Sequence, residues 1–102
     1  MLNSKQRAFL RSLAADADTI VMVGKGGLTA NIVKQTEDAL TARELVKGKA
    51  LETAPIDARE CAEQLAVQTH SDVVQVIGRK FVLFRVNKEK PVIELPRDKR
   101  RK

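Results

Sequence analysis

Aromatic side chains are nearly missing from this chain: it has no tryptophan or tyrosine, and Phe9, Phe81 and Phe84 are its only phenylalanines in 102 residues. Paired aromatics on one sheet face make the stacking platform of many single-strand RNA readers. Here Phe81 and Phe84 stand three apart, so the two-residue period of a strand sends them to opposite faces, and Phe9 falls in a helical apolar stripe. Base stacking is therefore expected to be a minor term. Cysteine is reduced to Cys61 and histidine to His70. One cysteine excludes an internal disulfide and suits a reducing, cytoplasmic setting. The two residues lie nine positions apart, half a helical turn out of phase on one helix, so they cannot cooperate, and zinc would want more ligands than the pair supplies. His70-Ser71-Asp72 are neighbours in sequence, a poor substitute for a triad assembled in space. No catalytic residue, metal, cofactor or small-molecule substrate is expected. Long apolar runs are absent as well, and "MLNSKQRAFL" has neither a signal peptide's core nor a membrane span.

Charge is what the chain has in quantity. Nineteen Lys and Arg oppose thirteen acids, a net charge of +6. The surplus sits at the two ends: residues 1–36 carry +3, residues 37–72 carry −4 and residues 73–102 carry +7. A polyanion is the natural partner of such asymmetry, nucleic acid ahead of membrane, because no strongly apolar helix face accompanies the basic residues. The length allows one domain, and a monomer is expected.

The order of elements is legible. Asn3 and Gln6 have capping-box spacing before a helix over residues 3–15, with Phe9, Leu10 and Leu13 on one side and Arg7 and Arg11 on the other. "TIVMV" (19–23) is a short buried strand. Thr29 caps a second helix running to about Ala42, whose stripe is Ile32, Val33, Thr36, Ala39 and Leu40. "ELVKGKAL" (44–51) alternates Leu45, Lys47, Lys49 with Val46, Gly48, Ala50, a strand with one wet side that Gly48 should weaken. Asp57 and Glu60 form a D-x-x-E box before a third helix to about Thr69, its stripe Ala58, Cys61, Ala62, Leu65 and Thr69. "DVVQVIGRKFVLFRV" is a hairpin closed by Gly78-Arg79, with glycine where a type II′ turn needs it. The sum is αβαβαββ, an α/β sandwich of three helices on a four-stranded mixed sheet: strands joined through helices run parallel, and the hairpin adds an antiparallel pair.

"VMVGKGGLT" joins the first strand to the second helix. Its glycines miss the P-loop, because Lys25 precedes the later glycines instead of closing the motif, and they miss G-x-G-x-x-G, which would need glycine at Thr29. What remains is G-x-x-G, Gly24 to Gly27, just before a helix N-terminus. Glycines let a phosphate approach backbone N–H groups, the helix start favours an anion, and Lys25 adds a cation. KH modules clamp nucleic-acid backbone with such a loop, though they place it between helices. The alternative is a loop that needs glycines only to turn tightly. Arg79 and Lys80 at the hairpin tip and Arg85 on the last strand are further candidates; Arg85 interrupts "FVLFRV", so it lies at a sheet edge or points to a partner.

"VMVGKGGLT", "ALTARELVKGKAL" and "VVQVIGRKFVLFR", in this order, resemble the YhbY family, whose domain is also called CRM, for chloroplast RNA splicing and ribosome maturation. The resemblance covers about residues 2–86. It implies a fold similar to the C-terminal domain of bacterial translation initiation factor three, RNA binding and, for stand-alone bacterial members, association with ribosomal RNA of large-subunit precursors. Carried over, the family's loop corresponds to Gly24, Lys25, Gly26 and Gly27. Its basic surface extends to Arg79 and Lys80. Thr29 at the helix start, Lys5, Arg7 and Arg11 on the first helix and Arg85 complete the candidate RNA-binding set. Residues 1–96 are expected to form a single domain and residues 97–102, with five cations in six positions, a disordered basic tail. A different class of function stays open: the acidic middle segment could dock a basic ribosomal protein, making the chain an adaptor.

Overall fold

The computed structural model describes residues 2–87, 89 and 91–95; the expected basic tail lies outside the described residues. Elements follow the expected order: α1 (Ser4–Ala15), β1 (Thr19–Val23), α2 (Ala30–Arg43), β2 (Leu45–Ala50), α3 (Ala58–Thr69), β3 (Asp72–Ile77) and β4 (Lys80–Phe84).

Each helix starts where a side chain can take up an orphan amide. Asn3 and Gln6 bond each other's backbone N–H reciprocally at 2.7 and 3.1 Å. Thr29 Oγ1 accepts from Ile32 N at 3.2 Å and Asp57 Oδ1 from Glu60 N at 2.9 Å. Such caps each contribute about 1 kcal/mol.

The sheet order is β1-β2-β4-β3. β1 and β2 are parallel, joined through α2, while β4 inserts antiparallel between β2 and β3. β2 and β3 therefore point the same way without touching. At the hairpin, Ile77 pairs with Lys80 around Gly78-Arg79, and φ of +59° at Gly78 is the left-handed conformation that a type II′ turn requires there.

Alternate residues of β4 divide the core. Phe81 and Leu83 join Val21, Val23, Leu40, Val46, Cys61 and Leu65 under α2 and α3, whereas Val82 and Phe84 join Leu10, Ala14 and Val74 under α1. Helices thus cover both faces, and the two sheet phenylalanines are spent in different cores. The buried stripe of α3 is Ala58, Cys61, Ala62, Leu65 and Thr69, as its spacing predicts.

Two details depart from the sequence reading. Gly48 weakens β2 on one side only: the pairing with β4 runs through it unbroken, where the Phe81 ring lies over it and a built Cβ would come within 2.3 Å of Phe81 Cζ, whereas the pairing with β1 shifts there, Thr19 matching Lys47 and Val21 matching Gly48. Arg85 is at no edge, since it follows β4, a strand flanked on both sides.

Candidate nucleic-acid interface

The register gathers the chemistry at one end of the sheet. Val23 pairs with Ala50 and Lys49 with Lys80, so the exits of β1 and β2 and the β3–β4 turn share an end, together with the N-termini of α2 and α3. Open α/β sheets bind ligands beyond the carboxyl ends of their parallel strands.

Gly24-Lys25-Gly26-Gly27 forms a tight turn closed by Gly27 N–H donating to Gly24 O at 3.0 Å. Gly27 is buried with φ of +71°, and a Cβ there would sit 3.2 Å from Pro55 Cγ, so this position needs glycine for the fold itself. Thr29 N–H donates to Gly27 O at 3.1 Å. Gly26 differs, since its φ is not left-handed and its nearest neighbour is the Thr29 methyl at 3.4 Å. Both central residues are exposed, and among the described residues their N–H groups donate to no acceptor. The Lys25 ammonium forms no ion pair among the described residues. Two unpaired amides, a helix start and a free cation coincide here, the arrangement an anion favours.

The other candidates separate. Arg11, on the C-terminal half of α1, borders a cleft of about 470 Å³ with Lys47, Ile77 and Lys80, at the glycine-loop end. Arg79 is at that end too, paired with Glu52 at 3.1 Å on the surface. The start of α1 lies toward the other end. There Arg7 donates to the Val73 carbonyl, capping an acceptor on β3, and Lys5 is exposed beside it in sequence. Arg85 is committed internally: it donates to Glu37 Oε1 at 2.5 Å, Thr69 O at 2.8 Å and Thr41 Oγ1 at 2.9 Å, pinning the end of β4 to α2 and α3. Its interruption of an apolar run thus has a structural cause. Both guanidinium groups, of Arg85 and of Arg7, are thus engaged within the fold.

The acidic middle segment is largely consumed as well. Glu37 holds Arg85, Asp38 pairs with Lys34, Glu52 with Arg79 and Glu63 with Arg59, while Asp57 caps α3 and Glu60 accepts from Gln64. Glu44 is fully buried.

Cys61 is buried, and its thiol is pushed above the ordinary range by desolvation first and by Asp57 and Glu60 second. A nucleophile would need the opposite shift. His70, in left-handed conformation at the C-cap of α3, lies at the other end of that helix, roughly 13 Å along the axis. Native protein at pH 8 is expected to react with iodoacetamide far more slowly than after unfolding in urea; equal rates would show an accessible thiolate. Among the described residues no cluster of three metal-ligating side chains occurs, and no helix is long and apolar enough to cross a membrane.

Fold and site together define a small α/β domain that presents cations and free amides at one end of a mixed sheet. The family model for the CRS1/YhbY (CRM) domain matches residues 2–85, and the chain belongs to this family. It is 45% identical over 96 residues to the "Probable RNA-binding protein YqeI" of Bacillus subtilis, covering 94% of this chain and all of that one. An "RNA-binding protein" of Haemophilus influenzae is 34% identical over 96 residues, 94% of this chain and 96% of that one. The solution structure of the hypothetical protein SAV1595 from Staphylococcus aureus superposes with a TM-score of 0.78 at 47% identity, covering 94% of this chain and all of that one.

Lys49, Met22 and Ile77 were not among the sequence candidates. Alternation had already put Lys47 and Lys49 on the wet side of β2. What was missing was the knowledge that β4 lies beside β2.

Proposed function

We propose that this protein binds RNA, gripping the sugar-phosphate backbone at the Gly24–Gly27 turn, and that its target is ribosomal RNA of large-subunit precursors during ribosome assembly. The observation that carries the reading is the pair of unengaged N–H groups at Lys25 and Gly26, before the α2 start, beside a lysine with no acid partner among the described residues. Family membership and the relatives named for RNA binding support the polymer. The ribosomal target rests on the likeness to stand-alone bacterial members. With both sheet phenylalanines buried, recognition works through backbone and shape, which suits folded RNA. The action is binding without catalysis.

Lys25→Ala and Gly26→Asp test this. Gly26→Asp has room for its Cβ and places a carboxylate near a helix start, so the fold should hold. Titration with transcribed large-subunit ribosomal RNA fragments should show weaker binding for both variants at unchanged melting temperature. For Lys25→Ala the slope of log K against log salt should flatten by ~0.7 to 0.9, one phosphate contact. Wild-type affinity in both variants would reject the clamp. Sedimentation of cell extract tests the target: migration with large-subunit precursors that RNase abolishes is expected, and RNase-resistant association with a single protein would overturn it.

A further inference from the structure

The sheet end carries a second feature, on the face opposite α2 and α3. Met22 pairs with Lys49, Lys49 with Lys80, and Lys80 with Ile77. Paired residues share a face, so these four side chains form one row across all four strands, roughly 14 Å from first to last strand. The row borders α1 without being covered by it: Met22 is 52% and Ile77 64% exposed, Lys80 is exposed and Lys49 is half-buried.

Two aspects of the row work against the fold. Lys49 and Lys80 are like charges directly opposite one another, a destabilising cross-strand pair. Neither side chain makes an ion pair or hydrogen bond among the described residues. Arg11 adds a third cation at the adjoining cleft, also without an acid partner there. Lys47, on the same face of β2, is different: its ammonium reaches Ala14 O at 3.1 Å and so offsets the carbonyl end of α1, which would otherwise repel an anion nearby. Exposed apolar groups bracket the lysines on both outer strands. Cations kept together at a cost in stability and lipped by apolar side chains fit a ligand that is anionic along its spine and apolar on its flanks.

We propose that this row is a second RNA-contacting surface, separate from the glycine turn. Lys49, Lys80 and Arg11 hold backbone phosphates, and Met22 and Ile77 lie against sugar or the face of a splayed base. Met22 is two residues before Gly24, so the surfaces adjoin and one RNA can run from the turn onto the sheet. Charge complementarity names the occupant, and the proposal rests on the RNA reading above.

Lys49→Glu separates the possibilities. It converts the like-charge pair into an opposite-charge one, so the melting temperature should rise by ~2 to 4 °C. Against the tightest-binding ribosomal RNA fragment, the salt slope should flatten by ~1.4 to 1.8, two phosphate contacts, with at least about tenfold weaker binding at low salt. Lys49→Gln, which removes charge without adding any, should flatten it by ~0.7 to 0.9. Met22→Ser combined with Ile77→Ser should weaken binding at unchanged slope. If the wild type binds and Lys25→Ala weakens binding, but the Lys49 variants keep wild-type affinity and slope, the row is overturned while the clamp stands. A wild type that binds none of the fragments in a salt-dependent way overturns both.

Discussion

Replacing Gly48 with valine should destabilise this protein by about 3 kcal/mol, although valine is among the best strand residues and glycine among the worst. Valine would bring a branched Cβ into space that Phe81 already fills, with Cζ and Cε1 at 2.3 and 2.5 Å from the built position. Phe81 is fully buried and central to the larger core, so its ring cannot swing toward solvent without leaving a cavity behind. Backbone and ring have been fitted as a pair: the glycine lacks a side chain because the aromatic of the facing strand supplies one. With a urea slope of ~1 to 2 kcal/mol/M, the denaturation midpoint should fall by roughly 2 M. Gly48→Val together with Phe81→Ala should lose less than the two single changes added, because the second makes room for the first. An unchanged midpoint for Gly48→Val would show that the ring does not occupy this space.

Glu44→Gly should destabilise by about 3 kcal/mol in spite of a backbone gain of ~1 to 2 kcal/mol. Glu44 ends α2 with φ of 66°, the left-handed position where glycine is the usual choice. A fully buried glutamate there needs a strong reason. Its carboxylate accepts from Asn87 N at 2.5 Å, Val92 N at 2.8 Å and Ile93 N at 2.6 Å, and its own carbonyl from Arg85 N at 2.9 Å. One side chain thus gathers the chain after β4 and brings Ile93 and Leu95 onto the core under α1. Hydrogen bonds to charged groups contribute ~1.5 to 3 kcal/mol each, so losing three outweighs the relief of one strained dihedral. Amide exchange at Val92 and Ile93 should accelerate in the variant before global unfolding does. A rise in melting temperature would show that only the dihedral matters.

Such a latch could not be read from "TARELVKG", because nothing local distinguishes Glu44 from the other acids of the middle segment. Its partners are more than forty residues away. The same holds for Arg85. Its place in an apolar run signalled something unusual, but its function as a pin depends on Glu37, Thr41 and Thr69 converging from two helices. By contrast the caps at Asn3, Thr29 and Asp57 were legible to the residue, since both donor and acceptor lie within one turn of chain. The glycine turn was legible as a candidate, but its division was not. Pro55 makes Gly27 a structural requirement, while Gly26 stays open.

The amino-acid order by itself determined the three helices, the four strands and the turn at Gly78-Arg79, because capping, periodicity and turn chemistry act over a few neighbouring residues, whereas the register shifts at Thr19–Val21 and Val73–Gln75 break the simple alternation of faces. Only the tertiary structure decided that β4 lies between β2 and β3. That insertion sets Lys49 against Lys80, lays Phe81 over Gly48 and leaves Arg85 enclosed. Strand order depends on which distant apolar faces bury best together, an energy shared by the whole chain and written in no single segment of it.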